Sequence, residues 1–133
     1  MFWNILPTSL NNREMKYFDI KEFDSPDLPG SGNNMDREFL KKLDTIRDEC
    51  NFPLVIESGY RTKHRNKEVG GSIGSSHTRG FAADIKVADS FQRFKLIGVA
   101  IKHGIKRIGI NKTTIHIDTD KQAPQNVFWH YYK

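Results

Sequence analysis

The sequence predicts an α+β domain: a small, mostly antiparallel sheet with its helices on one face. Two segments repeat apolar residues at helical spacing, and several short apolar runs are bounded by glycine or proline, as strands are. These segments do not alternate regularly, which argues against a doubly wound parallel sheet. With 133 residues and 37% apolar side chains, the chain suffices for one compact core.

The first part of the chain has little regular structure by its pattern. Residues 1–16 show no sustained period, and we interpret them as a leader or edge segment that precedes one domain over residues 17–133. Residues 17–34 are rich in turn-forming proline and glycine. We expect four apolar side chains to attach this irregular arm to the core: Tyr17, Phe18, Ile20 and Phe23.

The clearest helix is "MDREFLKKLDTIRDEC", residues 35–50, for which Asp36 is a plausible N-cap. Its apolar residues recur at steps of three and four and form one stripe: Phe39, Leu40, Leu43, Ile46 and Cys50. A short buried strand is predicted over 54–57. One or two helical turns follow within "RTKHRNKEVGG", closed by Gly70 and Gly71.

The second half of the chain predicts one more helix and three or four strands. "AADIKV" has the composition of a strand. "DSFQRFKLIGVAIKHG" predicts a helix capped by Asp89 or Ser90 and ended by Gly104. Its expected apolar surface comes from Phe94, Ile97, Val99 and Ile101. "KRIGI" and "TTIHIDT" predict two strands joined by a turn, and the aromatic tail "NVFWHYYK" predicts core packing, an edge strand or a wall that binds sugar or peptide.

Composition limits the classes of function and the compartment. The net charge of +5 suits an anionic partner such as nucleic acid, anionic lipid or a cell-wall polymer. The single cysteine, Cys50, excludes an intramolecular disulfide. No apolar run approaches the roughly 20 residues needed to span a bilayer. The start of the sequence lacks the features of a signal peptide, so we expect the protein to be made and kept in a cytoplasm unless something releases it.

Three residues have the types and spacing of a metal site. His77 and Asp84 lie at the mouth of a predicted strand, and His116 lies on a neighbouring strand. Zinc binds imidazole and carboxylate ligands, and a catalytic zinc has three protein ligands plus one open position. Within "IHID", strand alternation places His116 and Asp118 on one face and the isoleucines on the other. An ordinary loop that enters an ordinary strand is the alternative.

The flanking sequence is similar to one family. "SGYRTKHRNKEVGGSIGSSHTRGFAADI" resembles the central block of the zinc D-Ala-D-Ala carboxypeptidases, the M15-type peptidases. The family pattern S-x-H-x-x-G-x-A-x-D is filled by Ser75, His77, Gly80, Ala82 and Asp84. "RIGINKTTIHIDTD" looks like the final strand of the family, with its last zinc histidine. The resemblance covers residues 17–133 and implies the Hedgehog/DD-peptidase-like fold.

The resemblance implies one Zn²⁺ per chain, bound by His77, Asp84 and His116. It also implies that Arg61 binds the substrate carboxylate or the developing oxyanion, unless it pairs with a nearby acid. Ser75 would contact substrate, orient His77 or serve as a turn residue.

The position of the usual catalytic carboxylate departs from the family pattern. Many relatives have an acid three residues before the last zinc histidine, but here Thr113 stands there. Asp118 is the best substitute as general base, with a bracing role for the zinc histidine as the alternative. Glu57 is a weaker candidate, because its strand position also suits a structural ion pair.

The resemblance implies a zinc metallopeptidase, a D-Ala-D-Ala carboxypeptidase or endopeptidase, that cuts peptidoglycan stem or cross-link peptides. Small size and positive charge suit an endolysin encoded by a phage or prophage, which reaches the cell wall after release. We expect a monomer with no nucleic-acid partner and no stable membrane association. The main alternative is a zinc-binding module without catalysis, for example in a phage particle.

Overall fold

A five-stranded mixed sheet forms the centre of the molecule. The computed structural model describes residues 15–131. The strands are β1 (Val55–Ser58), β2 (Ala82–Lys86), β3 (Arg107–Ile110), β4 (Thr114–Asp118) and β5 (Val127–His130). Their order across the sheet is β1-β2-β4-β3-β5, and every neighbouring pair is antiparallel except β3 and β5. The predicted α+β class with a mostly antiparallel sheet is confirmed.

Three α-helices accompany the sheet within the described residues: α1 (Arg37–Cys50), α2 (Lys63–Glu68) and α3 (Ser90–Lys102). Helix α1 begins as predicted, because the carboxylate of Asp36 accepts a hydrogen bond from the backbone N–H of Phe39. All five residues of its predicted stripe are buried. They join apolar residues of α3 and of the sheet in one core.

The register of β2 and β4 separates a core face from a polar face. Asp84 pairs with His116, and the next residues along the two strands, Ile85 and Ile115, also pair. Because side chains alternate along a strand, the two isoleucines point into the core while Asp84 and His116 share the opposite face. Both isoleucines are fully buried. The candidate site therefore lies on the face of the sheet turned away from the core.

Helix α3 differs from expectation in the face that it buries. The residues in the core are Leu96, Val99 and Ala100. Phe94 and Ile101, which the sequence interpretation counted as part of the apolar surface of the helix, are 81% and 57% exposed. Apolar residues lie on two sides of this helix, so its sequence pattern did not distinguish the inner face from the outer one. Asp89 is the N-cap, accepting from the N–H of Gln92.

The irregular arm packs onto the core as the sequence predicted. Phe18 and Phe23 are buried, with their rings 5.6 Å apart in an edge-to-face arrangement. The predicted leader lies outside the described residues except for its last two. Of these, Met15 is buried in the core, and the backbone N–H of Lys16 donates to Asp44 of α1. None of the helices within residues 15–131 has the length and apolar composition that crossing a bilayer requires.

Candidate metal centre

Three potential metal ligands converge on the polar face of the sheet. They are His77, Asp84 and His116, and one ligand atom from each lies within 4.8 Å of the others. His77 Nε2 is 3.3 Å from Asp84 Oδ1, and His116 Nδ1 is 3.0 Å from the same oxygen. The sequence predicted this set, and the β2–β4 register brings its two strand members side by side.

A short 3-10 helix, Ser76–Arg79, presents His77 to the site. The hydroxyl of Ser75 caps this helix by accepting from the N–H of His77, which is 3.2 Å away. Gly80 then turns the chain back with φ of 80°, a conformation that other residues rarely adopt. A Cβ on Gly80 would also lie 2.3 Å from the carbonyl oxygen of Asn34. These local features place the imidazole at the start of β2.

The ring of His77 is held in the tautomer that a metal needs. His77 Nδ1 lies 2.8 Å from the carbonyl oxygen of Gly59, which only accepts hydrogen bonds. Nδ1 therefore carries a proton, and Nε2, the nitrogen that faces Asp84, is the atom that would bind a metal ion. The side chain of His77 is only 3% exposed.

The two oxygens of Asp84 have different partners. Oδ1 faces both histidines, whereas Oδ2 accepts from Arg61 Nη2 at 3.1 Å. Burial opposes ionisation of this carboxyl group, but hydrogen bonds with His116 and His77 outweigh it and hold its pKa well below the usual range. Asp84 is therefore a carboxylate at any physiological pH, with one oxygen directed to the ligand cluster.

His116 is oriented by a carboxylate on its own strand. Its Nε2 lies 2.7 Å from Oδ2 of Asp118, which fixes the proton on Nε2 and leaves Nδ1 for a ligand bond. Arg107 Nε donates to the other oxygen of Asp118 at 2.7 Å. Burial lowers the pKa of His116, but hydrogen bonds with Asp118 and Asp84 outweigh it, so that the pKa lies above its ordinary value of 6.5.

This geometry fits a zinc ion. Ligand atoms about 2.0–2.1 Å from a tetrahedral zinc are roughly 3.3 Å from each other. The two contacts of Asp84 Oδ1, at 3.3 and 3.0 Å, match that separation. Two neutral imidazoles and one carboxylate are a ligand set that zinc prefers, and each side chain has a partner that orients it.

Arg61 is held rigidly beside the ligand cluster. Its guanidinium donates to Ser58 Oγ at 3.0 Å, to Asn66 Oδ1 at 3.2 Å and to Asp84. Two of its five N–H groups have no role in these three bonds. The ion pair that the sequence left open as an alternative for Arg61 is therefore present, and the same arginine lines the cleft.

A cleft of about 300 Å³ gives access to the cluster. Its lining includes the three ligands, Arg61, Ser75, Asn111 and Tyr131, and Asp84 is its only carboxylate among the described residues. Asp118 has no exposed side-chain surface. Glu57 pairs with Lys86 on the β1 edge, at a distance of 3.8 Å, and does not line the cleft. Among residues 15–131, Thr113 itself does not line the cleft, and no second carboxylate joins Asp84 there.

The aromatic tail forms one side of the site. Trp129 lies against His116, with ring centroids 5.4 Å apart, and Tyr131 contacts Trp129 edge-to-face. Burial raises the pKa of Tyr131, so its phenol stays protonated at neutral pH. The sequence had favoured an edge strand or core packing for this tail. β5 is an edge strand, and Tyr131, the residue after it, lines the cleft.

Several contributing residues were missed by sequence reasoning. Arg107, Asn66 and the carbonyl of Gly59 each orient a residue of the site. Of these, only Asn66 had a local signal, because a buried asparagine next to "VGG" must bond to the backbone: its side-chain N–H donates to the carbonyl of Ser72.

Fold and site together present a buried His-Asp-His group that could bind a metal ion, on an α+β sheet. The sequence pattern of the peptidase M15 family matches residues 17–120, and the chain belongs to this family. A search of curated proteins found no match. Peptidases of this family depend on zinc, and membership indicates zinc peptidase activity with a peptide substrate.

Proposed function

We propose that this protein is a zinc peptidase that hydrolyses peptidoglycan stem or cross-link peptides at or near a D-Ala bond. The observation that carries the proposal is the position of Arg61, whose fixed guanidinium lies beside the His77, Asp84 and His116 cluster in one cleft. A cation next to a metal centre suits a peptide whose free carboxylate lies close to the scissile bond.

The residues divide the chemistry between them. A bound zinc would polarise the scissile carbonyl and lower the pKa of a water molecule to about 7. Arg61 would bind the substrate carboxylate or the oxyanion through its two remaining N–H groups. Tyr131, which is protonated and also lines the cleft, would donate a hydrogen bond to the same tetrahedral oxygens or to the peptide. Ser75 at the rim would contact the peptide and hold His77.

For Asp118 we propose the bracing role rather than the role of base. A general base must reach the attacking water and works best with a pKa near the operating pH. The carboxylate of Asp118 lies behind His116, has no exposed surface, and is shared between His116 and Arg107. Burial opposes its ionisation, but the hydrogen bond with His116 outweighs it and lowers its pKa.

A compact endolysin of phage or prophage origin is the setting we propose, acting as a monomer on the wall after release. The positive net charge of +5 favours adsorption to an anionic wall. A second candidate, a zinc-binding module without catalysis, is favoured by one observation: among the described residues, the cleft has no carboxylate besides the ligand Asp84.

One experiment separates the two candidates. Zinc-loaded protein is incubated with purified peptidoglycan and with a D-Ala-D-Ala-terminated peptide, beside an Arg61→Lys variant. Lysine keeps the charge but cannot make the three hydrogen bonds that hold the guanidinium and still present two N–H groups to the substrate. We therefore expect cleavage by the native chain and a loss of at least tenfold in kcat/KM for the variant. Bound zinc without cleavage of either substrate would establish the binding module instead.

A further inference from the structure

The outer side of α3 is apolar and exposed, and the adjoining edge strand continues it. Phe91 and Phe94 are 69% and 81% exposed, Ile101 is 57% exposed, and Phe128 of β5 is 61% exposed. Together with the partly buried Ile97, these residues form what we call the outer apolar face. On a small domain, several large apolar side chains exposed side by side are typical of an interaction site rather than of ordinary surface.

The residues follow the helical repeat, so the face is one continuous surface. Phe94, Ile97 and Ile101 recur at steps of three and four and lie on one side of α3, opposite the core residues Leu96 and Val99. Phe128 lines the same groove as Ile97 and Ile101, where β5 passes the end of the helix.

Basic side chains outnumber acidic ones around this face. The chain has 16 acidic residues, yet none lies between Ser90 and Ile117. The same stretch contains the basic residues Arg93, Lys95, Lys102, Lys106, Arg107 and Lys112. Of these, Arg107 pairs with Asp118 on the metal-site side of the sheet and does not border the outer apolar face. Strand β5 has no acid either. The acids beside this stretch are Asp89, which caps α3, and Glu49 of α1, which pairs with Lys102 at 2.8 Å. The surroundings of the face are therefore cationic.

From these observations we propose that the outer apolar face docks reversibly on an anionic phospholipid surface. Phenylalanine and isoleucine would enter the boundary between headgroups and acyl chains, while the lysines at its margin contact phosphate groups. Each Lys or Arg near such a surface adds attraction, and apolar burial supplies the rest. A second copy fits less well, because a symmetric contact would bring the same lysines together.

The position of the face relative to the site makes docking compatible with catalysis. Helix α3 packs on the core face of the sheet, whereas the metal centre lies on the other face. A chain bound through α3 therefore directs its cleft away from the lipid. This surface binding needs no membrane span, and it does not depend on the identity of the peptide substrate.

The test is binding of the zinc-loaded full chain to vesicles, measured by co-sedimentation. Vesicles of phosphatidylcholine with phosphatidylglycerol are compared with vesicles of phosphatidylcholine alone. Two variants each remove one contribution to binding. Phe94→Gln removes apolar burial, and Lys106→Glu removes the attraction of a basic side chain to lipid phosphate. Their matched controls are Val55→Gln, at an exposed position on β1 at the opposite edge of the sheet, and Lys41→Glu on α1.

We expect binding to the anionic vesicles only, weakened about tenfold or more by each test variant and unchanged in the controls. Because the substituted side chains are exposed, we expect every variant to fold, and a thermal melt of each one checks this. Absence of vesicle binding, or equal losses in test and control variants, overturns the proposal. So does a dimer in solution that Phe94→Gln dissociates while no vesicles are bound, because the face then belongs to a second copy.

Discussion

Nε2 of His116 lies 2.7 Å from Oδ2 of Asp118, its neighbour two residues further along β4. One strand thus supplies both a metal ligand and the carboxylate that fixes the tautomer of that ligand. Arg107 on the adjacent β3 holds the far oxygen of the carboxylate. Because the two roles belong to different residues, a mutation of Asp118 can change the orientation of His116 without removing the candidate ligand itself.

Asp118→Asn tests the bracing role. The amide keeps the shape of the carboxylate but loses its charge, so we expect zinc affinity to fall by about 10- to 100-fold. At saturating zinc, peptidase activity should return to near the native value. Zinc affinity is measured by competition with a chelator. Unchanged affinity with lost activity at saturating zinc would instead identify Asp118 as the base.

His116→Ala tests the metal centre itself. Removing one of three ligands should abolish stoichiometric zinc binding and lower the melting temperature of the zinc-supplied protein towards that of the metal-free native chain. His64→Ala is the matched control, because that imidazole is 75% exposed and pairs with Glu68 of its own helix, away from the ligand cluster. Zinc content by atomic emission and a thermal melt are the measurements. Equal zinc content in the two variants would refute the assigned site.

Protons should compete with zinc up to a higher pH than at an ordinary histidine. In the metal-free protein, hydrogen bonds with Asp118 and Asp84 raise the pKa of His116 above 6.5. Zinc must displace that proton, so its affinity should rise with pH, by about tenfold per unit while His116 is still protonated, and then level off. Chelator competition over a pH series measures the slope. An affinity that does not change with pH would contradict the raised pKa.

Gly109→Ala should disturb the wall that Trp129 forms. A Cβ at Gly109 would lie 2.6 Å from the indole, which packs across β3 next to His116. We expect a loss of about 1–3 kcal/mol in the free energy of unfolding, with weaker peptide binding. Gly98→Ala in α3 is the control, since nothing lies within 4 Å of its added Cβ. That change should stabilise the helix by up to about 1 kcal/mol. Denaturant titrations compare the two, and similar losses in both would exclude the indole contact as the cause.

Cys50 should be unreactive in the folded protein. The side chain is buried at the end of α1, and burial raises the pKa of its thiol to about 11. Because the thiolate is the nucleophile, alkylation near pH 8 should be very slow until the protein is unfolded in denaturant. Mass spectrometry after treatment with iodoacetamide measures the rate. Rapid labelling of the native chain would mean that the C-terminal turn of α1 opens readily.

The sequence predicted those parts of the fold and site that depend on local pattern. The stripe of α1, the cap at Asp36 and the alternation around His116 are short-range periodicities, and each was found where it was predicted. The metal ligands were predicted because the histidine and aspartate spacings are themselves a motif.

The remaining features depend on long-range pairing. Trp129 reaches His116 because β5 runs parallel to β3, and no local signal specifies that register. Arg107 finds Asp118 for a similar reason, across the β3–β4 pair. The exposed side of α3 was missed because apolar residues on two sides of a helix leave no marked inner face in its sequence.

The divided carboxylate of Asp84 has a thermodynamic consequence. Its Oδ1 faces the two histidines, while its Oδ2 pairs with Arg61. One negative charge therefore serves both the candidate metal centre and the guanidinium. A peptide carboxylate that paired with Arg61 would weaken the ion pair between Arg61 and Oδ2 of Asp84. The carboxylate of Asp84 would then be more basic towards a bound metal ion. Metal and peptide therefore change each other's affinity by the same factor, and each would be bound more tightly in the presence of the other.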